Sequence, residues 1–106
     1  ETNNIFVSDA IQRYIVDIVS GTREHEEVYL GASPRSSIAL MKAAKAYALI
    51  HDRDYVIPDD VKYLAPFVLS HRLILTSEGK FTGKDGKSIV HEVLSQVKVP
   101  IDRGER

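Results

Sequence analysis

The stretch that decides the fold is Gly31-Ala32-Ser33-Pro34-Arg35, followed by Ser36-Ser37-Ile38-Ala39-Leu40-Met41-Lys42-Ala43-Ala44-Lys45-Ala46-Tyr47-Ala48-Leu49-Ile50-His51. Ser33 is a good N-cap residue, because its hydroxyl can accept from a first-turn N–H. Pro34 suits a first helical position, where no backbone donor is missed and φ is already helical. The spacing therefore predicts a helix over residues 34–51. Lys42 and Lys45 are the polar residues in its middle, so the helix reads as apolar nearly all round and central to the fold. Arg35 is the odd residue. A cation in the first turn faces the positive end of the helix dipole, at a cost of a few tenths of a kcal/mol or more. The same position suits an arginine that holds an anion, since first-turn N–H groups and a guanidinium both favour phosphate. A solvated or carboxylate-paired arginine is the other reading.

The segments on either side are also helical in pattern. Upstream, Ser8 or Asp9 can cap a helix running to about Ser20. Its apolar residues Ile11, Tyr14, Ile15, Ile18 and Val19 fall on one face, and Gly21 reads as its stop. Thr22 to Glu27 is dense in charge and reads as a solvated connection, with Val28-Tyr29-Leu30 returning briefly to the core. Downstream, Asp52-Arg53-Asp54 closes the central helix. Pro58 with Asp59 and Asp60 opens a third, whose inward stripe is Val61, Leu64, Ala65, Val68 and Leu69. Pro66 lies inside that pattern and predicts a kink or split near residues 64–65. Residues 78–87, rich in glycine and lysine, read as a mobile loop. A fourth helix over about 88–97 carries Ile89, Val90, Val93, Leu94 and Val97 on one face. The expected fold is an all-α, small four-helix bundle over residues 1–100, with a flexible tail at 101–106.

Composition narrows the function. The chain has 106 residues, 43% hydrophobic content, no cysteine and a formal charge of −1 with both signs interspersed. That balance argues against a dedicated nucleic-acid or anionic-membrane binder, and no apolar run is long enough for a membrane span. The missing cysteines fit a reducing compartment, and a cytoplasmic location is expected. The chain begins without Met or a signal-peptide pattern and reads as an excised piece of something longer.

Most classical catalytic signatures fail. Gly86-Lys87-Ser88 looks like the end of a phosphate loop, but the required glycine five residues earlier is Phe81. His25, His51, His71 and His91 have no helical pairing of the kind that ligates metal. Asp59-Asp60 fits helix-start chemistry better than acid–base catalysis. No metal site and no catalytic residue is expected.

The motifs Thr22-Arg23-Glu24-His25, Leu30-Gly31-Ala32-Ser33-Pro34-Arg35, Ala43-Ala44-Lys45-Ala46, Asp52-Arg53-Asp54-Tyr55-Val56-Ile57-Pro58-Asp59-Asp60-Val61 and Val68-Leu69-Ser70-His71-Arg72-Leu73 together resemble the C-terminal lid domain of MoxR-type AAA+ ATPases. The resemblance covers about Phe6 to Leu75. It departs at Ile57, where a Thr or Ser is common and would cap the third helix. It implies a helical lid packed beside a nucleotide-binding core in the same polypeptide. Arg35 would be the sensor-2 residue facing the γ-phosphate of ATP, with Ser33 and Pro34 beside it. ATP with Mg is the implied cofactor of the full-length parent, and none is expected on the isolated fragment. Neighbouring subunits of a hexameric ring and an unknown client protein are the implied partners, with chaperone-like maturation as the purpose. Arg23 falls in the motif without a physical account of its role. With no Walker motifs in this chain, ATP hydrolysis by it alone is not expected. The alternative is a free-standing helical domain for protein or nucleic-acid interaction.

Overall fold

The computed structural model describes residues 4–101, so the expected tail beyond Ile101 lies outside the described residues. It is mostly helical. Its elements in chain order are α1 (Asp9–Glu24), β1 (Val28–Leu30), α2 (Arg35–Ile50), α3 (Pro58–Leu69), a 3-10 turn (Ser70–Arg72), β2 (Ile74–Leu75), α4 (Ser77–Phe81) and α5 (Gly86–Gln96). The four long helices match the expected bundle, while α4 and a two-stranded ribbon are additions. In the ribbon β1 and β2 run antiparallel, pairing Val28 with Leu75 and Leu30 with Ile74. Helix α3 sits at the centre, packing on α2 and α5, while α1 packs on α2 and α5.

Helix α1 begins where expected. Ser8 Oγ accepts from the Ile11 N–H at 3.2 Å, and Ile11, Tyr14, Ile15, Ile18 and Val19 are all buried. Its end is different. Gly21 does not stop the helix, which continues one turn to Glu24. The glycine is there for closeness, since a Cβ on it would lie 2.6 Å from Val93 Cγ1 of α5. Thr22 is accordingly buried rather than part of a solvated link.

Helix α2 starts at Arg35, with Pro34 in helical geometry (φ −56°, ψ −26°) at its boundary. Ser33 does not cap it through its side chain. Its carbonyl instead accepts from the Ser36 N–H at 2.8 Å, a tight four-residue turn. Nor is α2 buried all round. Ser36, Leu40, Ala44 and Ala48 form a single buried stripe, whereas Ile38 and Ile50 are 53% and 75% exposed. Hydrophobic composition alone could not distinguish a surface covered by this chain from one left open.

The end of α2 uses Asp52 in the left-handed region (φ 60°). The Arg53 N–H returns to the Ala48 carbonyl and the Asp52 N–H to the Leu49 carbonyl, the bond pair that closes a helix at such a residue. The Phe6 backbone bonds to Asp54 and Val56 in the following link, docking the segment ahead of α1 there. Helix α3 is not split at Pro66; the helical run is continuous from Pro58 to Leu69. Pro66 forgoes only the bond from its own position to the Lys62 carbonyl, and the ladder resumes beyond it, with the Ser70 N–H bonded to the Pro66 carbonyl.

Residues 78–87 are not a simple loop. Thr76 Oγ1 accepts from the Gly79 N–H at 3.1 Å and caps α4. Asp85 and Ser88 cap α5 reciprocally, with Ser88 N–H to Asp85 Oδ1 at 2.9 Å and Asp85 N–H to Ser88 Oγ at 3.0 Å. The Gly86-Lys87-Ser88 triplet is thus a helix start. Val28-Tyr29-Leu30 returns to the core only through Val28, which packs against it, whereas Tyr29 and Leu30 are 79% and 56% exposed.

Candidate functional site

Arg35 stands at the first position of α2, exposed, with no acidic residue in that helix's first turn. Among the described residues it has no hydrogen-bond or ion-pair partner. The carboxylate-paired reading of this arginine therefore does not hold. Its guanidinium is free beside a helix N-terminus, an arrangement that favours an incoming anion. Pro34 and Ser33 are exposed just ahead of it. Ser36 behind it is 1% exposed, and its hydroxyl has no hydrogen-bond partner.

The loop that presents Arg35 is held from α1. Gly31 lies so close to α1 that a Cβ would meet Arg23 Cα at 2.6 Å, a contact only glycine allows. Ala32 is fully buried. Its N–H donates to Thr22 Oγ1 at 3.1 Å, and its carbonyl accepts from Arg23 Nη1 at 3.1 Å. Thr22 in turn donates its hydroxyl proton to the Val19 carbonyl at 2.6 Å, which fixes its lone pairs toward Ala32. Arg23 Nη2 donates to Ser20 Oγ at 3.2 Å. Both polar groups of Ala32 are thereby satisfied by consecutive residues of one helical turn. Neither role is legible locally, because Thr22 and Arg23 open a charge-dense stretch whose composition suggests a solvated connection. The adjacent Thr-Arg pair ahead of Gly-Ala-Ser-Pro-Arg was the signal available.

A second polar cluster joins α1's end to α5. His25 Nε2 lies 2.8 Å from Glu92 Oε1, and the Lys84 ammonium contacts Glu92 Oε2 at 3.0 Å and also bonds Glu27 Oε1. His25 Nδ1 accepts from the Glu27 N–H at 3.0 Å, so the ring proton sits on Nε2 and is donated to Glu92. His25 and Lys84 hold Glu92 below the usual carboxylate range, and Glu27 with Glu92 raises Lys84. Three ligand-type atoms gather here. The ammonium already bonds both carboxylates, and a metal at Nε2 would require breaking the Glu27 N–H bond. The arrangement works as an ion-pair clamp across the 24–28 turn, which the charge density in the sequence had suggested was merely solvated.

Arg53 and Asp60 form the third constellation, at bidentate distances of 2.8 and 2.7 Å. Asp60 also accepts the Ile57 N–H at 3.0 Å. The helix start that lacks a Thr or Ser at Ile57 is thus capped from inside by Asp60. This is structural chemistry, as the sequence suggested for the Asp59-Asp60 pair.

The AAA lid domain family model matches residues 20–93. The chain belongs to the AAA lid domain family. The lid is 59% identical over 103 residues to the Bacillus subtilis protein YeaC, described as uncharacterized, covering 97% of this chain and 32% of that protein. It is 39% identical over 106 residues to chaperone MoxR1 of Mycobacterium tuberculosis, covering 92% of this chain and 28% of that one. A crystal structure of a Cytophaga hutchinsonii protein, provisionally described as an ATPase, superposes with a TM-score of 0.87 at 33% identity. It covers 93% of the lid and 33% of that chain. The lid spans about a third of the length of these relatives. None of its described helices is long and apolar enough to cross a membrane.

Proposed function

We propose that this lid completes an ATP site whose greater part lies elsewhere in a longer MoxR-like polypeptide, with Arg35 as the sensor-2 residue. The observation that carries this reading is the exposed Arg35 guanidinium at the N-terminus of α2, without a partner among the described residues. A guanidinium there offers a γ-phosphate two charge-assisted bonds, and the helix end adds oriented N–H dipoles. As charge redistributes on the phosphoryl oxygens, a pre-placed cation stabilises the change without solvent reorganisation. Ser33 and Pro34 set the approach to the same site.

The free guanidinium and the absence of a first-turn acid fit the phosphates of ATP, and Mg would accompany that ATP as the cofactor's metal. The metal's chemistry belongs to the core, which would also supply the catalytic groups. Leu30 and Ile74, paired across the ribbon and 56% and 47% exposed, offer apolar surface for that core to cover. In this reading the lid transmits nucleotide state to neighbouring subunits of a hexameric ring and drives chaperone-like remodelling of a client protein in the cytoplasm.

The test is Arg35→Ala in the full-length protein, assayed for ATP turnover and nucleotide affinity. Turnover is expected to fall by about tenfold or more with the fold intact by circular dichroism. Wild-type turnover and affinity would refute the assignment. Calorimetry on the lid alone is expected to give ATP binding weaker than micromolar.

A further inference from the structure

We propose that Thr22 and Arg23 are positioning residues for Arg35, a role that rests on the sensor-2 reading above. The path between them is short and stiff. Ala32 is gripped at its N–H by Thr22 and at its carbonyl by Arg23, both at 3.1 Å. From Ala32 the chain reaches Arg35 through only Ser33 and Pro34. The ring of Pro34 fixes its φ, and the Ser33 carbonyl is tied to the Ser36 N–H at 2.8 Å. Little backbone freedom remains between the grip and the Arg35 Cα. A shift of the last turn of α1 is therefore passed to Arg35.

The division of labour between the two residues follows from burial. Thr22 is fully buried, and its hydroxyl is used in both directions, donating to Val19 and accepting from Ala32. Arg23 is exposed, and its fork spans two acceptors, the Ala32 carbonyl and Ser20 Oγ. Gly31 lies against the α1 backbone at Arg23 N and Cα as well as against the Arg23 stem, so that close approach does not rest on the fork alone. What the fork contributes is the orientation of the Ala32 peptide, and so the aim of the arginine three residues on. A lysine offers a point charge and cannot span both acceptors.

The experiment uses the full-length protein with Arg23→Ala, Arg23→Lys, Thr22→Val, Thr22→Ser and Arg35→Ala, singly and with each Arg23 and Thr22 change combined with Arg35→Ala. The readouts are kcat and KM for ATP, with melting temperature as a control. Arg23→Ala is expected to lower kcat by about tenfold, since small misplacements of a charge-stabilising group carry losses of this order or larger. Its melting temperature should stay close to wild type. Arg23→Lys should recover only part of the loss. Thr22→Val should lose turnover, and Thr22→Ser, which keeps the hydroxyl, should restore it. In the Arg35→Ala background none of these changes should reduce kcat further, because the group being aimed is gone.

Full turnover in Arg23→Ala and Thr22→Val beside a loss in Arg35→Ala would overturn the positioning role and leave the sensor reading standing. A further loss of equal factor in the Arg35→Ala background would also overturn it, by showing that the pair acts through general stability. Wild-type turnover in Arg35→Ala would remove the sensor reading and this proposal with it.

Discussion

Asp60 meets Arg53 through two parallel hydrogen bonds of 2.7 and 2.8 Å while being almost wholly buried, and the pair ties the end of α2 to the first turn of α3. A buried carboxylate is tolerable only because the guanidinium and the Ile57 N–H satisfy it. Asp60→Ala leaves Arg53 facing a void and removes the cap, and is expected to cost about 3–5 kcal/mol. Asp60→Asn retains an acceptor for Ile57 and should cost less, about 1–3 kcal/mol. Urea unfolding of the two variants checks the order; equal small losses would contradict the pair's structural weight.

Two serines that look alike in sequence should behave differently. Ser8 caps α1 through its hydroxyl, so Ser8→Ala is expected to cost about 1 kcal/mol. Ser33 uses only its backbone carbonyl at the start of α2, so Ser33→Ala should fall within about 0.5 kcal/mol of wild type. Chemical denaturation of both variants side by side measures the contrast.

Gly31 and Gly86 are positions of close backbone approach. A Cβ at Gly86 would lie 2.1 Å from the Ser70 carbonyl oxygen, and one at Gly31 would lie 2.6 Å from Arg23 Cα. Backbone atoms cannot swing aside, so Gly86→Ala and Gly31→Ala are each expected to destabilise by about 1–3 kcal/mol or more. Gly21→Ala meets the end of a side chain instead, and the alanine gains about 1 kcal/mol in helix propensity, so its loss should be the smallest of the three. A melting-temperature series gives the ranking.

The Glu27–Lys84–Glu92–His25 clamp predicts a stability plateau with two sloping edges. Glu92 is held low by the His25 and Lys84 hydrogen bonds, so its contribution is complete above the ordinary glutamate value of about 4.3 and declines as pH falls through the lowered one. Lys84 is raised by its bonds to Glu27 and Glu92, so its contribution is complete below about pH 10.4 and declines as pH rises through the raised value. Urea midpoints measured from acid to alkaline pH should bend at both ends. Glu92→Gln should flatten the acid edge and Lys84→Met the alkaline edge; unchanged slopes in both would show that the clamp adds nothing to stability.

Much of the fold was legible because local signals and burial coincided. The α1 stripe from Ile11 to Val19 is buried as its period requires, and Pro58 with two following aspartates does open α3. Legibility failed where a residue's role depended on something distant in sequence. Gly21 looked like a stop but makes room for Val93 of α5. Glu27 and Lys84 looked like solvated charge and a mobile loop, yet they meet across the ends of α1 and α5. Arg35 was visible as an electrostatic oddity, whereas the Thr22–Arg23 grip on its loop was not.

The sequence by itself determined the four long helices, the inward faces of α1 and α5 and the placing of a cation at the N-terminus of α2, because each follows from short-range periodicity, cap chemistry and the helix dipole. Only the tertiary structure decided that this cation is left without a partner among the described residues, that its loop is held at both polar groups of Ala32, and that α2 buries one stripe rather than its whole circumference. Those outcomes depend on which surfaces meet, and hydrogen-bond partners nine or ten residues away along the chain are chosen by packing rather than by local preference.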